Sequence, residues 1–142
     1  MMPNAYVALK QRHQQESDAF PFMFAFSEEQ FTKGMQSLGL APTDTDQIYS
    51  IGMGGYIRKA DADAMNEMFA RHARERQEAI DADKTGTGYI YDMFDYELAN
   101  HEYEYTGDVS DTLDALGLTP EQVNADPRMV RALNRACKRQ SA

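Results

Sequence analysis

The chain has 142 residues, 42% hydrophobic and 26% charged, a composition that excludes a disordered or low-complexity protein and predicts one domain over residues 1–142. Its net charge of −9 has a local origin, because residues 81–114 hold ten acidic residues and one base, Lys84, which excludes nucleic-acid binding by that face. The single cysteine excludes an intrachain disulfide, and no apolar run approaches the roughly 20 residues that span a bilayer, so we expect a cytoplasmic protein away from membranes.

The N-terminal part of the sequence predicts two helices separated by a short strand. Apolar positions at helical spacing predict the first helix over Ala5–Ala19. Phenylalanines alternate with smaller apolar residues over Phe22–Phe26, which predicts a strand buried on both faces at the centre of the core. Ser27 and Gln30 then form a capping box for a second helix, which ends at Gly39.

A β-hairpin is predicted over Gln47–Lys59, because two apolar segments flank the glycine-rich loop Gly52–Gly55. An alternative is that this loop holds a phosphate with help from Arg58 and Lys59, as in a nucleotide-sequestering protein. The glycine spacing matches neither the dinucleotide-binding nor the P-loop pattern, which favours the hairpin.

A long helix is predicted from Asp61 or Asp63 to about Ile80, with Phe69 and His72 on its apolar side. No nucleophile accompanies His72. We therefore expect it to be a hydrogen-bonded core histidine, not a catalytic one.

The segment Asp83–Ile90 resembles the first eight positions of an EF-hand loop, although Thr85 and Thr87 occupy the third and fifth positions, where carboxylates are preferred. Phe94 occupies the twelfth position, where calcium requires a bidentate glutamate. We therefore interpret the segment as a glycine-rich turn and expect no bound calcium.

A helix over Tyr91–Tyr105 places a row of carboxylates on its solvent side. This row and two acidic residues that follow it are the predicted contacts with a partner: Asp92, Asp95, Glu102, Asp108 and Asp111. Such a surface imitates the charge of nucleic-acid phosphates and would occupy a basic groove of a partner protein.

A second row on the same helix consists of Glu97, His101 and Glu104. It suggests an alternative function, a metal-dependent enzyme or small-ligand-binding protein centred on these residues. One histidine and two carboxylates on one helix make a poor metal site. We therefore favour a structural role, and predict no catalytic residue, metal ligand or cofactor.

The C-terminal region predicts short helices and then a long amphipathic one. Thr119 and Gln122 form a second capping box, and Asp126 begins the last helix. That helix turns a basic stripe outward, consisting of Arg128, Arg131, Arg135 and Lys138. The stripe is either a solvated surface or a secondary interface, for example with the acidic region of a second copy in a homodimer.

These elements predict an α+β fold, with five or six helices packed around a small, mostly antiparallel sheet. The predicted core consists of the large apolar residues of these elements: Phe22, Phe24, Phe26, Phe31, Ile48, Ile57, Phe69, Phe94 and Leu98.

Four segments, Phe24–Ser27, Gly54–Lys59, Tyr96–Tyr103 and Asp114–Thr119, resemble small uncharacterised proteins carried by phages and mobile elements of gut bacteria. The resemblance spans most of the chain. It implies a setting in which small acidic proteins inhibit host defence stoichiometrically, as anti-CRISPR proteins do. Such proteins bring no established catalytic residues to this chain.

The charge and the resemblance together lead us to expect a non-enzymatic binding protein from a phage or mobile element. We expect its acidic face to inhibit a basic, nucleic-acid-handling defence protein of the host.

Overall fold

The computed structural model describes residues 4–142 and confirms the predicted α+β class. The first three residues of the predicted domain lie outside this range. The elements in chain order are α1 (Ala5–Ala19), β1 (Met23–Phe24), α2 (Glu28–Ser37), β2 (Ile48–Gly52), β3 (Gly55–Arg58), α3 (Ala62–Ala82), α4 (Tyr89–Asn100), α5 (Tyr103–Thr106), α6 (Ser110–Ala115), α7 (Pro120–Asn124) and α8 (Pro127–Ser141). None of these helices is both long and apolar enough to cross a membrane.

Backbone contacts divide the chain into two compact units, whose boundaries fall inside α1 and α3. The helical unit comprises the residues up to Arg12 together with Arg74–Ala142. The sheet unit comprises His13–Ala73.

The core of the helical unit forms around α4. Ile90, Phe94 and Leu98 recur every four residues and are fully buried. This confirms the predicted core positions Phe94 and Leu98. They pack in one cluster with Ala132 and Ala136 of α8, whose small side chains let the two helices approach closely.

The segment before α4 is the predicted glycine-rich turn, and one carboxylate organises it. Asp83 accepts hydrogen bonds at 3.0 Å from the backbone N–H groups of Gly86, Gly88 and Ile90. Burial opposes ionisation, but these donors outweigh it and hold the pKa of Asp83 below its ordinary value. Gly86 has a φ of +79°, and a Cβ there would lie 2.5 Å from the carbonyl oxygen of Arg128.

The prediction of one helix over Tyr91–Tyr105 is wrong at its C-terminal end. α4 ends at Asn100, and Glu102 adopts the left-handed conformation with a φ of +58° before α5 begins. A left-handed residue interrupts the α-helical path, because every residue of a continuous helix must be right-handed. The carboxylate of Glu102 therefore does not continue the helical row that the sequence predicted.

The sheet unit contains a three-stranded antiparallel sheet in the order β1-β3-β2, which confirms the predicted sheet and hairpin. Met23 of β1 lies opposite Tyr56, and Tyr49 of β2 lies opposite Ile57. The glycine-rich loop forms the turn between β2 and β3, and at its tip Met53 has a φ of +52°.

The prediction that Phe22–Phe26 forms the centre of the core is wrong. β1 is an edge strand of two residues in which Met23 is buried, whereas Phe24 is 58% exposed and Phe26 is 77% exposed. Successive side chains of a strand point to opposite faces of the sheet, and α2 covers only the face that carries Met23.

The other core predictions for the sheet unit have mixed outcomes. Ile48 and Ile57 are buried as predicted, but Phe69 on α3 is exposed and Phe22 and Phe31 are only partly buried. The actual core cluster consists of smaller or more flexible residues: Met23, Met35, Leu38 and Ile48.

Candidate functional site

The most deeply buried charge in the helical unit is Glu97, which is 2% exposed. Its Oε1 accepts hydrogen bonds from the Tyr6 hydroxyl at 3.1 Å and from Lys10 Nζ at 3.3 Å. Its Oε2 lies 3.3 Å from His101 Nε2, one turn further along the chain. We call these four residues the Glu97 cluster.

The surroundings of the Glu97 cluster explain how a buried carboxylate is tolerated. Burial, reinforced by the negative charge of Glu97, raises the pKa of Tyr6, so its hydroxyl remains a donor at neutral pH. Lys10 Nζ lies 5.6 Å from the ring centre of Tyr6 and 5.3 Å from that of Tyr96, within cation–π distance. The cluster thus ties the start of α1 to α4.

The structure brings together only part of the predicted second row. Glu97 and His101 are adjacent, but Glu104 is exposed on α5, and among residues 4–142 no ion pair joins it to either of them. Within the same residues, no group of three histidine, cysteine or acidic side chains is arranged to hold a metal ion.

His72 is a buried, hydrogen-bonded histidine, as predicted. Its ring stacks on His13 with ring centres 3.9 Å apart, and its Nε2 lies 3.1 Å from Glu16 Oε2. Glu16 also accepts a hydrogen bond from Arg71. Hydrogen bonds from Arg71 and His72 lower the pKa of Glu16 to about 2.

Asp92 and Asp95, two of the predicted partner contacts, bind other residues of the chain. The prediction that they form a solvent-facing row is therefore wrong. Asp92 Oδ2 accepts a 2.9 Å hydrogen bond from the backbone N–H of Ala5, at the start of α1. Asp95 pairs with Arg139 at 2.9 Å and accepts a bond from Gln140 at the end of α8. Helical periodicity indicates that these positions share a side, but not which helices approach that side.

The exposed negative charge lies further along the chain, in residues 102–121, which we call the acidic segment. It contains no lysine, arginine or histidine. All six of its carboxylates are exposed: Glu102, Glu104, Asp108, Asp111, Asp114 and Glu121. Three of the predicted contacts belong to this set.

Arg128 is not part of an outward basic stripe, which corrects the prediction for this residue. Its guanidinium is partly buried and donates hydrogen bonds of 2.9 and 2.8 Å to the carbonyl oxygens of Ile80 and Asp83. It also pairs with Asp126 at 2.7 Å. Arg128 therefore links the start of α8 to the end of α3.

The rest of the predicted stripe is exposed. Arg131 donates a 3.2 Å hydrogen bond to the carbonyl oxygen of Thr85, and the Arg135 guanidinium lies 5.8 Å from the ring centre of Tyr91. Lys138 is exposed on the same helix.

The cations beside the glycine-rich loop have contacts of their own. Arg58 pairs with Asp61 at 2.8 Å, and Lys59 Nζ lies 5.2 Å from the ring centre of Tyr49. A phosphate bound at this loop, the alternative to a simple hairpin turn, would have to compete with these interactions.

The most unusual surface of the sheet unit is apolar, and we call it the aromatic face. It consists of Phe22, Phe24, Phe26, Ile51, Met53 and Phe69. The ring centre of Phe22 lies 6.3 Å from that of Phe24 and 6.2 Å from that of Phe69.

Two glycines let the aromatic face form close to the backbone. The ring of Phe26 lies where a Cβ on Gly54 would be, and Phe24 and Ile51 meet over Gly55. At the tip of the turn, Met53 is 93% exposed. Periodicity did not predict this surface, because it placed six of the seven phenylalanines, all except Phe20, in the core. A three-stranded sheet with one covering helix leaves one face partly open.

The sequence profile of a family of unknown function, DUF7659, matches residues 5–139. The chain belongs to this family. Comparison with curated proteins finds no match, and neither does comparison with solved structures. The family brings no assigned activity or residue role. The resemblance to phage and mobile-element proteins therefore stays a prediction.

In this family member, two open grooves lie beside β1. The Asp18 groove, of about 390 Å³, is lined by Asp18 and by the rings of Phe20, Phe22 and Phe24. The Glu28 groove, of about 490 Å³, is lined by Glu28 and by the rings of Phe26, Phe31 and Tyr56. Each groove thus combines aromatic rings with one carboxylate.

Proposed function

We propose that this chain is a non-enzymatic binding protein that docks on a basic partner protein through the aromatic face. The observation that carries the proposal is the exposure of the large apolar side chains of β1 and the hairpin tip. Soluble monomers rarely expose neighbouring apolar side chains of this size unless another molecule covers them. Aromatic residues and methionine are also enriched in protein interfaces.

The backbone at the hairpin tip supports the same proposal. Met53 combines a left-handed conformation with nearly complete exposure of its side chain. This conformation costs a residue other than glycine about 1 kcal/mol, and the side chain recovers nothing by packing within its own unit. Burial of Met53 against a partner would offset that cost.

Charge indicates the kind of partner. The chain carries a net charge of −9, and the sheet unit contributes nine acidic and four basic residues. A basic partner would be attracted over the Debye length, which speeds association and makes it sensitive to salt. The apolar contacts would then supply most of the affinity.

Site-directed photo-cross-linking tests this proposal. A benzophenone amino acid at Met53 is expected to give a discrete adduct with a basic protein in cell lysate, and high salt should reduce its yield. The same probe at Tyr105, which is also largely open to solvent and belongs to the helical unit, should not give that adduct.

The matched variant is Phe26→Ser together with a probe at Met53. Because Phe26 is mostly exposed, we expect its replacement to change the free energy of unfolding by less than about 1 kcal/mol while removing the adduct. An acidic captured protein, an adduct that survives Phe26→Ser, or equal capture at Tyr105 would overturn the proposal.

The acidic segment favours a second candidate function. We propose that its exposed carboxylates imitate phosphates and inhibit a nucleic-acid-handling defence protein, as the resemblance to phage and mobile-element proteins implies. Glu102, Asp108 and Asp111 are its candidate contacts. Asp92 and Asp95 contribute less, since each already has an internal partner.

Charge reversal tests the second candidate. The probe is the heparin-retained protein fraction of a host lysate, whose binding to labelled DNA the wild-type chain should inhibit at low salt. Replacement of Glu102 and Asp111 by lysine should weaken inhibition at least about tenfold, by removing two charge-assisted contacts. Replacement of Asp46 and Glu67 by lysine is the control, because it makes the same change in net charge outside the acidic segment. Equal loss in both double variants would contradict the proposal.

Two further expectations remain proposals. In the proposed homodimer, the exposed Arg131, Arg135 and Lys138 of one copy contact the acidic segment of another. Sedimentation should then show a dimer at low salt that dissociates at high salt. A location in the cytoplasm is tested by imaging the tagged chain in its host.

A further inference from the structure

We infer that the partner contributes an extended segment that lies along β1 and inserts two arginine or lysine side chains, one into the Asp18 groove and one into the Glu28 groove. This inference rests on the proposed docking at the aromatic face and extends the contact to the Glu28 groove, which shares Phe26 with that face.

The Asp18 groove has the two features that recognise a cationic side chain. Its rings form a continuous row, with ring centres 4.9 Å apart for Phe20 and Phe22. Asp18 is exposed beside them, and Gln14 occupies only its Oδ1, at 2.8 Å. A guanidinium can therefore stack on a ring while bonding to Oδ2.

The Glu28 groove repeats this combination. Phe31 and Tyr56 meet edge to face with ring centres 5.5 Å apart, and Phe26 completes the aromatic wall. Glu28 is exposed and has no ion pair among residues 4–142, whereas its neighbour Glu29 pairs with Lys33 at 3.2 Å. Glu29 thus already has a cationic partner, Lys33, whereas Glu28 remains available for a cation of the partner protein.

The position of β1 explains how one segment can reach both grooves. Ala25 donates a 2.9 Å hydrogen bond to Gly54, and in this antiparallel register Met23 also directs its backbone groups toward β3. The backbone N–H and C=O of Phe24 then point away from β3, toward the outer edge of the sheet.

Side chains of an added strand alternate between the two faces of the sheet. The ring of Phe24 contributes to one face, and Tyr56, opposite Met23, contributes to the other. Two adjacent cationic residues in the partner therefore point into different grooves. Two cationic residues with one other residue between them would lie on the same face and point into a single groove.

Peptide binding tests this inference, with fluorescence anisotropy of short labelled peptides titrated with the full chain. The probe is a β-prone peptide with two adjacent arginines, and its reference replaces both with citrulline, which keeps the shape and removes the charge. We expect the arginine peptide to bind at least about tenfold more tightly. Separating the arginines by one residue should also weaken binding.

Variants of the chain locate the contact. Asp18→Asn and Glu28→Gln should each weaken binding of the arginine peptide about fivefold, the scale of one charge-assisted contact in an open groove. Glu29→Gln is the matched control and should leave binding unchanged. All three side chains are exposed, so circular dichroism should show intact folds.

Equal binding of the arginine and citrulline peptides, or no effect of Asp18→Asn and Glu28→Gln, would overturn the inference. If the adduct at Met53 still forms and still depends on Phe26, the proposed function survives that result. If the adduct is absent as well, both fail.

Discussion

Replacement of Glu97 by alanine is expected to lower the free energy of unfolding by about 3 kcal/mol. The substitution removes the acceptor of the buried Tyr6 hydroxyl and leaves a cavity beside it. Lys10 is half exposed and can turn to water, so most of the cost falls on Tyr6 and on the lost packing.

Urea unfolding measures this effect, and two variants make it specific. Glu97→Gln keeps an acceptor for Tyr6 and should lose about half as much as Glu97→Ala. Glu104→Ala changes the exposed member of the predicted row and should cost less than about 0.5 kcal/mol. Similar losses for Glu97→Ala and Glu104→Ala would contradict a stabilising role for the contacts of Glu97 with Tyr6 and Lys10. A manganese-induced rise in melting temperature that needs both residues would instead support the metal-dependent alternative.

Replacement of Asp83 by alanine is expected to cost about 2 kcal/mol at neutral pH. Three backbone N–H groups before and within the first turn of α4 lose their acceptor, and α4 carries the centre of the helical core. Asp83→Asn retains one acceptor oxygen and should lose less. Asp81→Ala, an exposed neighbour, is the control and should have a small effect.

The effect of Asp83 should depend on pH in one direction. Its pKa is lower in the folded chain than in the unfolded chain, where it is near 4. Its contribution is therefore complete above about pH 4 and is lost as pH falls through the lowered folded value. The difference in unfolding free energy between wild type and Asp83→Asn should shrink over that interval. A difference that stays constant down to about pH 2 would contradict this account.

Predictions that depend on neighbouring residues agree well with the structure. Ser27 caps α2 through the backbone N–H of Gln30, and Thr119 and Gln122 form the predicted reciprocal capping box. The glycine-rich loop is the predicted hairpin turn. Caps and tight turns are set by hydrogen bonds and backbone conformations within a few residues, which the sequence specifies directly.

The Glu97 cluster shows where this local information ends. The spacing of Glu97 and His101 on one helix predicted their proximity, and they are adjacent. Tyr6 and Lys10 come from positions 91 and 87 residues away in the chain, and nothing in their local pattern indicates that they meet Glu97.

The sequence alone determined the fold class, the predicted caps of α2 and α7, the hairpin turn and the apolar side of α4. Only the tertiary structure decided that Asp95 meets Arg139 and that Phe24 and Phe26 face solvent while Met23 is buried. Periodicity identifies residues that share a face, because it follows from backbone geometry. Whether that face is covered depends on which other elements pack against it, and those elements lie far away in the sequence.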